Sequence, residues 1–177
     1  HGEPFLQQSL AKLRCLTPSV GGGFGNKMEA HVQPIVVKLA MKTDRPVKLI
    51  LNREEDFEMI RARHPSRIRC KTGALKDGTL VAREVDVLLD GGAFADDSPG
   101  VLGHIVLCSR GPYKIPNMRS HGRVTYTNHL RFGAFRGFGN PQINFATESQ
   151  LDDIAAKLKM DPIELRLKNA MDTGDRW

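Results

Sequence analysis

The sequence predicts an α+β fold, a mixed sheet with packed helices, on three observations. Strands and helices are interspersed without the strict alternation of a doubly wound sheet. Two strand-like runs flank Lys76-Asp77-Gly78, whose Asp-Gly pair favours a hairpin. Two late segments each carry a capping residue followed by a first-turn proline. The 177 residues are 40% apolar and 26% charged, with a mean hydropathy of −0.34. That composition supports a packed core and excludes disorder, collagen and coiled coil.

Taken in order, residues 5–12 read as a short helix and 14–18 as a strand running into a glycine loop, Gly21-Gly22-Gly23-Phe24-Gly25. Over 28–41, Val32, Ile35, Val36, Leu39 and Ala40 share one helical stripe, with Pro34 tolerable in a first turn. Arg45-Pro46 ends that helix, and 47–51 reads as a buried strand. Asn52 suits the cap of a short helix whose first turn carries Glu54, Glu55 and Asp56. The hairpin strands cover 66–75 and 79–89, and a glycine turn follows at 90–94. Residues 98–108 match no template. A strand over 118–128 leads to a second glycine loop at 133–142. A long helix then follows, with Asn140 as its cap, Pro141 in its first turn, and Ile143, Leu151, Ile154, Ala155 and Leu158 on one face. Asp161, Pro162 and Glu164 open a last helix to about residue 171. No linker or repeat divides the chain, so 1–177 reads as one continuous unit.

The net charge of +6 could draw nucleic acid or an anionic cofactor. The densest basic run, 61–71, alternates charged and uncharged residues as a strand with one solvated face does. Aromatics are not interleaved with it, so a stacking platform for single strands is not evident. A nucleic-acid- or protein-binding basic domain is the rival reading. No apolar stretch approaches the ~20 residues that cross a bilayer. The opening His1-Gly2-Glu3-Pro4-Phe5 lacks signal-peptide character, and the absent initiator Met points to a fragment. Cys15, Cys70 and Cys108 have no CxxC spacing and read as reduced thiols, which favours a cytoplasmic location. Scattered histidines form neither HxxxH nor HExxH, so no protein-ligated metal is expected. Asp96-Asp97 and the acidic run at 54–56 read as solvated helix starts.

Neither glycine loop fits a common phosphate template. Lys27 lies between Asn26 and Met28, which is not P-loop wording, and the third glycine of GxGxxG is Asn26 in one loop and Gln142 in the other. Both loops nevertheless offer bare backbone for close approach. Phe135 and Phe138 add flat apolar faces, Arg136 a planar donor fork, and Lys27 a cation for an anionic ligand. The alternative for each loop is a tight strand-to-helix turn with a core phenylalanine.

Val20-Gly21-Gly22-Gly23-Phe24-Gly25-Asn26-Lys27 and Gly133-Ala134-Phe135-Arg136-Gly137-Phe138-Gly139-Asn140-Pro141-Gln142 closely resemble the paired motifs of the molybdopterin-binding large subunit of the xanthine dehydrogenase and aldehyde oxidase family. Tyr113-Lys114-Ile115-Pro116-Asn117 resembles the segment between them. The resemblance implies a molybdenum hydroxylase that inserts water-derived oxygen at an electron-poor carbon of an aromatic N-heterocycle or an aldehyde. It also implies a molybdenum–molybdopterin cofactor, a pyranopterin whose cytosine dinucleotide form stays open, with iron-sulfur clusters and FAD on partner subunits or domains. Carried over, the backbone of Gly23, Phe24, Gly25 and Arg136 lies beside the molybdenum ligands, and Phe138 stacks on a flat substrate.

Met28 stands where xanthine-oxidising members place a Glu, with Glu29 one position later. His104 stands where they place an Arg. Together with Phe138, Met28 and His104 form the expected substrate side, and xanthine itself is disfavoured. Gly137 replaces the Cys of the carbon monoxide branch. The family's catalytic Glu lies near its C-terminus and is expected beyond Trp177. Residues 1–177 are therefore expected to be one internal domain of a longer subunit, whose remainder is a partner alongside the iron-sulfur and FAD subunits and a small-molecule substrate, with no membrane partner.

Overall fold

The computed structural model describes Lys12 and residues 14–175. The helix expected at 5–12 lies outside the described residues, apart from Lys12. The sequence reads as one unit, whereas the structure divides into two compact units, His1–Arg61 and Ala62–Trp177.

Among its described residues the first unit has helices α1 (Gln33–Thr43) and α2 (Arg53–Met59). α1 starts five residues later than the stripe suggests, because the glycine loop continues as a turn through Lys27 and Pro34 sits in the first turn. α2 starts as expected. The Asn52 side chain accepts from the Glu55 amide at 2.9 Å, and the Glu55 carboxylate accepts from the Asn52 amide at 2.8 Å, which forms a capping box. The strands expected at 14–18 and 47–51 do not form. A strand needs a neighbouring chain to exchange hydrogen bonds with. Residues 47–51 alternate half-buried and exposed in the manner of a strand, yet no ladder pairs them, and Ile50 is 72% exposed.

The second unit is built on a three-stranded sheet in the order β1-β2-β3. β1 (Ser66–Ala74) pairs antiparallel with β2 (Leu80–Asp90), as the hairpin reading requires. At the turn the Gly78 amide donates to the Leu75 carbonyl at 3.0 Å. β3 (Asn117–Thr125) pairs with β2 in parallel, so the chain must cross over between them. That crossover contains α3 (Ser98–Cys108), the segment no sequence template matched. Its glycines and proline are poor helix formers. Burial of Val101 and Ile105 against Val85, Val87 and Leu89 supplies what propensity does not.

α4 (Asn140–Leu158) adds Ile143 to the same cluster, and α5 (Pro162–Asn169) closes a second one around Leu80, Tyr113, Ile115, Leu151, Ala155 and Leu165. Asp161 caps α5 by accepting from the amides of Ile163 and Glu164. Asn140, expected as the cap of α4, is instead its first residue: its amide donates to the Gly137 carbonyl at 2.8 Å, which draws it into the helix, and Gly139 at φ +98 takes the cap position with no side-chain bond. On β1, Arg67, Arg69 and Lys71 are exposed while Ile68 and Cys70 turn inward, which is the solvated face expected of the basic run. Interspersed strands and helices on a mixed sheet make the fold α+β, as predicted. No helix among the described residues is long and apolar enough to cross a membrane.

Candidate cofactor-binding loops

The first loop lies in the first unit and is a tight turn in which the Asn26 amide donates to the Gly23 carbonyl at 2.9 Å. Gly25 sits at φ +103 and Phe24 at φ +53, the left-handed region that favours glycine. The Phe24 ring folds back over Gly22, where a Cβ would stand 2.6 Å from it, and the residue stays 59% exposed. Phe24 is therefore not a core anchor. The amides of Gly22, Gly23 and Gly25 donate to no acceptor among the described residues, and Asn26 Oδ1 is buried without a partner. Met28 is exposed. Glu29, the carboxylate one position later, forms an ion pair with the buried guanidinium of Arg61.

The second loop lies in the second unit and is held from several sides. Arg63 Nη2 donates to the Arg136 carbonyl at 2.6 Å, its Nη1 donates to Gln142 Oε1 at 3.2 Å, and its guanidinium lies 4.8 Å from the centroid of the Phe135 ring. The sequence reading assigned Arg63 to a charged strand face and missed this clamp. No local signal marks it, because its partners are 73 and 79 residues away. Upstream, Asp90 accepts from Thr127 at 2.7 Å, from His129 Nδ1 at 2.5 Å and from the Gly92 amide at 2.8 Å. Burial alone would raise the Asp90 carboxyl, but these three bonds outweigh it and hold the group below its ordinary value.

The structure brings two sequence-predicted residues together: His104 on α3 approaches Phe138, and its Nδ1 is 3.0 Å from the Phe138 carbonyl oxygen. Phe138 is half-buried against the Val85–Ile143 cluster, so part of its ring serves the core as the alternative reading held. Phe135 and Arg136 are exposed, and the amides of Phe135 and Gly137 find no acceptor among the described residues. Gly23, Phe24, Gly25 and Met28 belong to one unit, and His104, Arg136 and Phe138 to the other. In the basic run, Arg61 and His64 are buried and Arg63 is engaged, leaving Arg67, Arg69 and Lys71 outward.

Both loops thus present what an oxyanionic ligand needs, namely backbone donors that find no acceptor among the described residues. Comparison with known proteins agrees. The family model of the molybdopterin cofactor-binding domain matches residues 3–170. The nicotinate dehydrogenase large molybdopterin subunit of Eubacterium barkeri is 42% identical over 164 residues, which is 93% of this chain and 39% of that protein. Among solved structures, the aldehyde oxidoreductase from Desulfovibrio gigas superposes with a TM-score of 0.76 at 41% identity, covering 88% of this chain and 17% of that one. Quinoline 2-oxidoreductase from Pseudomonas putida 86 gives 0.76 at 31% identity, covering 89% and 21%. The chain spans less than half the length of each of these relatives. With two glycine loops of the expected wording and a match over nearly its whole length, the chain belongs to the molybdopterin cofactor-binding domain family.

Proposed function

We propose that this chain is an internal part of a molybdenum hydroxylase subunit oxidising an aromatic N-heterocycle or an aldehyde. The observation that carries this reading is the pair of glycine loops, whose amides at Gly22, Gly23, Gly25, Phe135 and Gly137 have no acceptor among the described residues. Relatives named for nicotinate, aldehyde and quinoline oxidation support that substrate range. The loops fit the cofactor: a phosphate-bearing pyranopterin and an oxyanionic metal centre call for backbone donors, and substitution of Gly25, at φ +103, would strain the backbone. When bound, molybdenum–molybdopterin supplies the two-electron oxidation in which C–H and water become C–OH, with two protons and two electrons released.

The chain's own residues bind and orient. The backbone of Gly23, Phe24 and Gly25 would contact the cofactor from the first loop, and that of Arg136 from the second. Lys27, whose stem packs over Gly23, keeps a cation near the anionic group. The exposed part of the Phe138 ring offers an offset partner to a flat substrate. Met28 gives the substrate side an apolar contact where a carboxylate would select purine-like hydrogen bonding, which disfavours xanthine within that substrate range. The catalytic base, the remaining pterin contacts, and the iron-sulfur clusters and FAD that take the electrons belong to the remainder of the subunit and its partners, in the cytoplasm.

The test is metal analysis and turnover of the full-length subunit purified with its partners. Stoichiometric molybdenum, and oxygen from isotopically labelled water appearing in an oxidised heteroaromatic or aldehyde product, is the expected result. A molybdenum-free protein that binds DNA in a salt-sensitive manner would replace this reading with the rival one.

A further inference from the structure

One side of α3 shapes the second loop. Gly100, His104 and Cys108 recur at four-residue spacing and so share a helix face. Next to them, Ile105 lies so close to Gly139 that a Cβ on Gly139 would stand 2.4 Å from Ile105 Cγ1. The Phe138 ring reaches Gly100, where a Cβ would stand 3.4 Å from its Cζ. His104 meets the same ring edge-on, with centroids 5.7 Å apart and planes at 69°. Its Nδ1 is 3.0 Å from the Phe138 carbonyl oxygen, and its Nε2 is 3.9 Å from Cys108 Sγ. A carbonyl only accepts, so Nδ1 carries the hydrogen. In the neutral ring Nε2 is then a bare acceptor, and the Cys108 thiol is its donor. Phe138 itself sits at φ +46, a conformation that a side chain disfavours and that its surroundings must enforce.

We propose that His104 is a positioning residue for the second loop. As the Nδ1–H tautomer, with Nε2 taken up by the Cys108 thiol, it fixes the Phe138 carbonyl and the edge of the Phe138 ring. Its influence on substrate passes through Phe138, not through a direct contact. The word substrate rests on the molybdenum hydroxylase reading, whereas the locking of the loop does not.

The test is hydrogen exchange, resolved by peptide mass spectrometry, on the full-length subunit with its partners and without substrate, together with steady-state kinetics. The amides of Phe138, Asn140 and Gln142, bonded within the loop at 2.8, 2.8 and 3.2 Å, are the reporters. His104→Leu should speed their exchange by about tenfold, the scale of one lost hydrogen bond, while peptides of β1 and β2 stay as in the wild type. His104→Asn places an amide N–H where Nδ1 stood and should restore most of the protection. His104→Gln, whose amide matches Nε2, should not. In kinetics, kcat should fall in His104→Leu and His104→Gln and recover in His104→Asn.

Wild-type loop exchange in His104→Leu alongside a raised KM and an unchanged kcat would make His104 a direct substrate contact and overturn the proposal. Equal behaviour of the Asn and Gln variants would overturn it too, and that pair decides the matter if the Leu variant fails to fold. Absence of molybdenum from the purified protein would count against the hydroxylase reading alone, because the exchange measurement reads the loop without it.

Discussion

Gly25 and Phe138 carry the sharpest consequences at the level of single residues. Gly25 sits at φ +103, so Gly25→Val strains the backbone and, on the proposed reading, places a branched side chain where the cofactor would approach. The full-length variant is expected to lose activity and molybdenum while far-ultraviolet circular dichroism stays native. Wild-type turnover would refute the loop assignment. Phe138 is half-buried against the core and partly open. Phe138→Leu should therefore destabilise by about 1 kcal/mol and lower kcat/KM more for flat heteroaromatic substrates than for aliphatic aldehydes. An equal loss for both classes would place the ring wholly in the core. Glu29 shows why residue identity alone misleads: the sequence offers it as a neighbour of the substrate side, and the structure spends its charge on Arg61.

At the scale of elements, what was legible was local chemistry. The Asn52 capping box, the Asp161 cap with its first-turn proline, and the Asp-Gly turn each satisfy backbone groups with atoms a few residues away, and all three form as read. Asp161→Ala removes the acceptor from two amides at 2.8 and 3.1 Å. It should weaken α5 by about 1 kcal/mol, seen as several-fold faster hydrogen exchange in α5 with β1 and β2 unaffected. Elements that depend on distant partners were not legible. Residues 47–51 have the composition of a strand but no paired neighbour, and α3 has poor helix formers but a hydrophobic face that β2 covers.

Across the second unit, the helices are tied to the segment before β3 by a polar cluster. The Tyr113 hydroxyl donates to Glu148 at 2.9 Å, and Arg166 bonds Glu148 at 2.9 Å and Asp152 at 2.8 Å. Burial, reinforced by the Glu148 carboxylate, pushes the Tyr113 hydroxyl up from 10.0 to about 12. Because the folded value lies above the unfolded one, this contribution is fully present below pH 10 and disappears as pH rises from 10 to about 12. Wild-type protein should accordingly exceed Tyr113→Phe in thermal midpoint at neutral pH, with the gap closing across that alkaline window. A gap that stays constant to pH 12 would show that the hydroxyl contributes nothing through its proton. A buried cation, Arg83, ties the end of α3 to the sheet by donating to the carbonyls of Ser109 at 3.3 Å and Arg110 at 3.1 Å, and burial lowers its pKa.

By itself, the sequence determined the hairpin, the caps of α2 and α5, the α+β class and both glycine loops, because each is written in residues adjacent along the chain. A turn needs its glycine and a cap its acceptor within about four positions. The tertiary structure alone decided that β3 runs parallel to β2, that 98–108 is a helix, that Arg63 clamps the Arg136 carbonyl across 73 residues and that His104 meets Phe138 across 34. Those outcomes depend on which distant surfaces pack together, and hydrophobic burial is non-directional. Only once the core had closed could the hydrogen-bond partners of Arg63 and His104 be named.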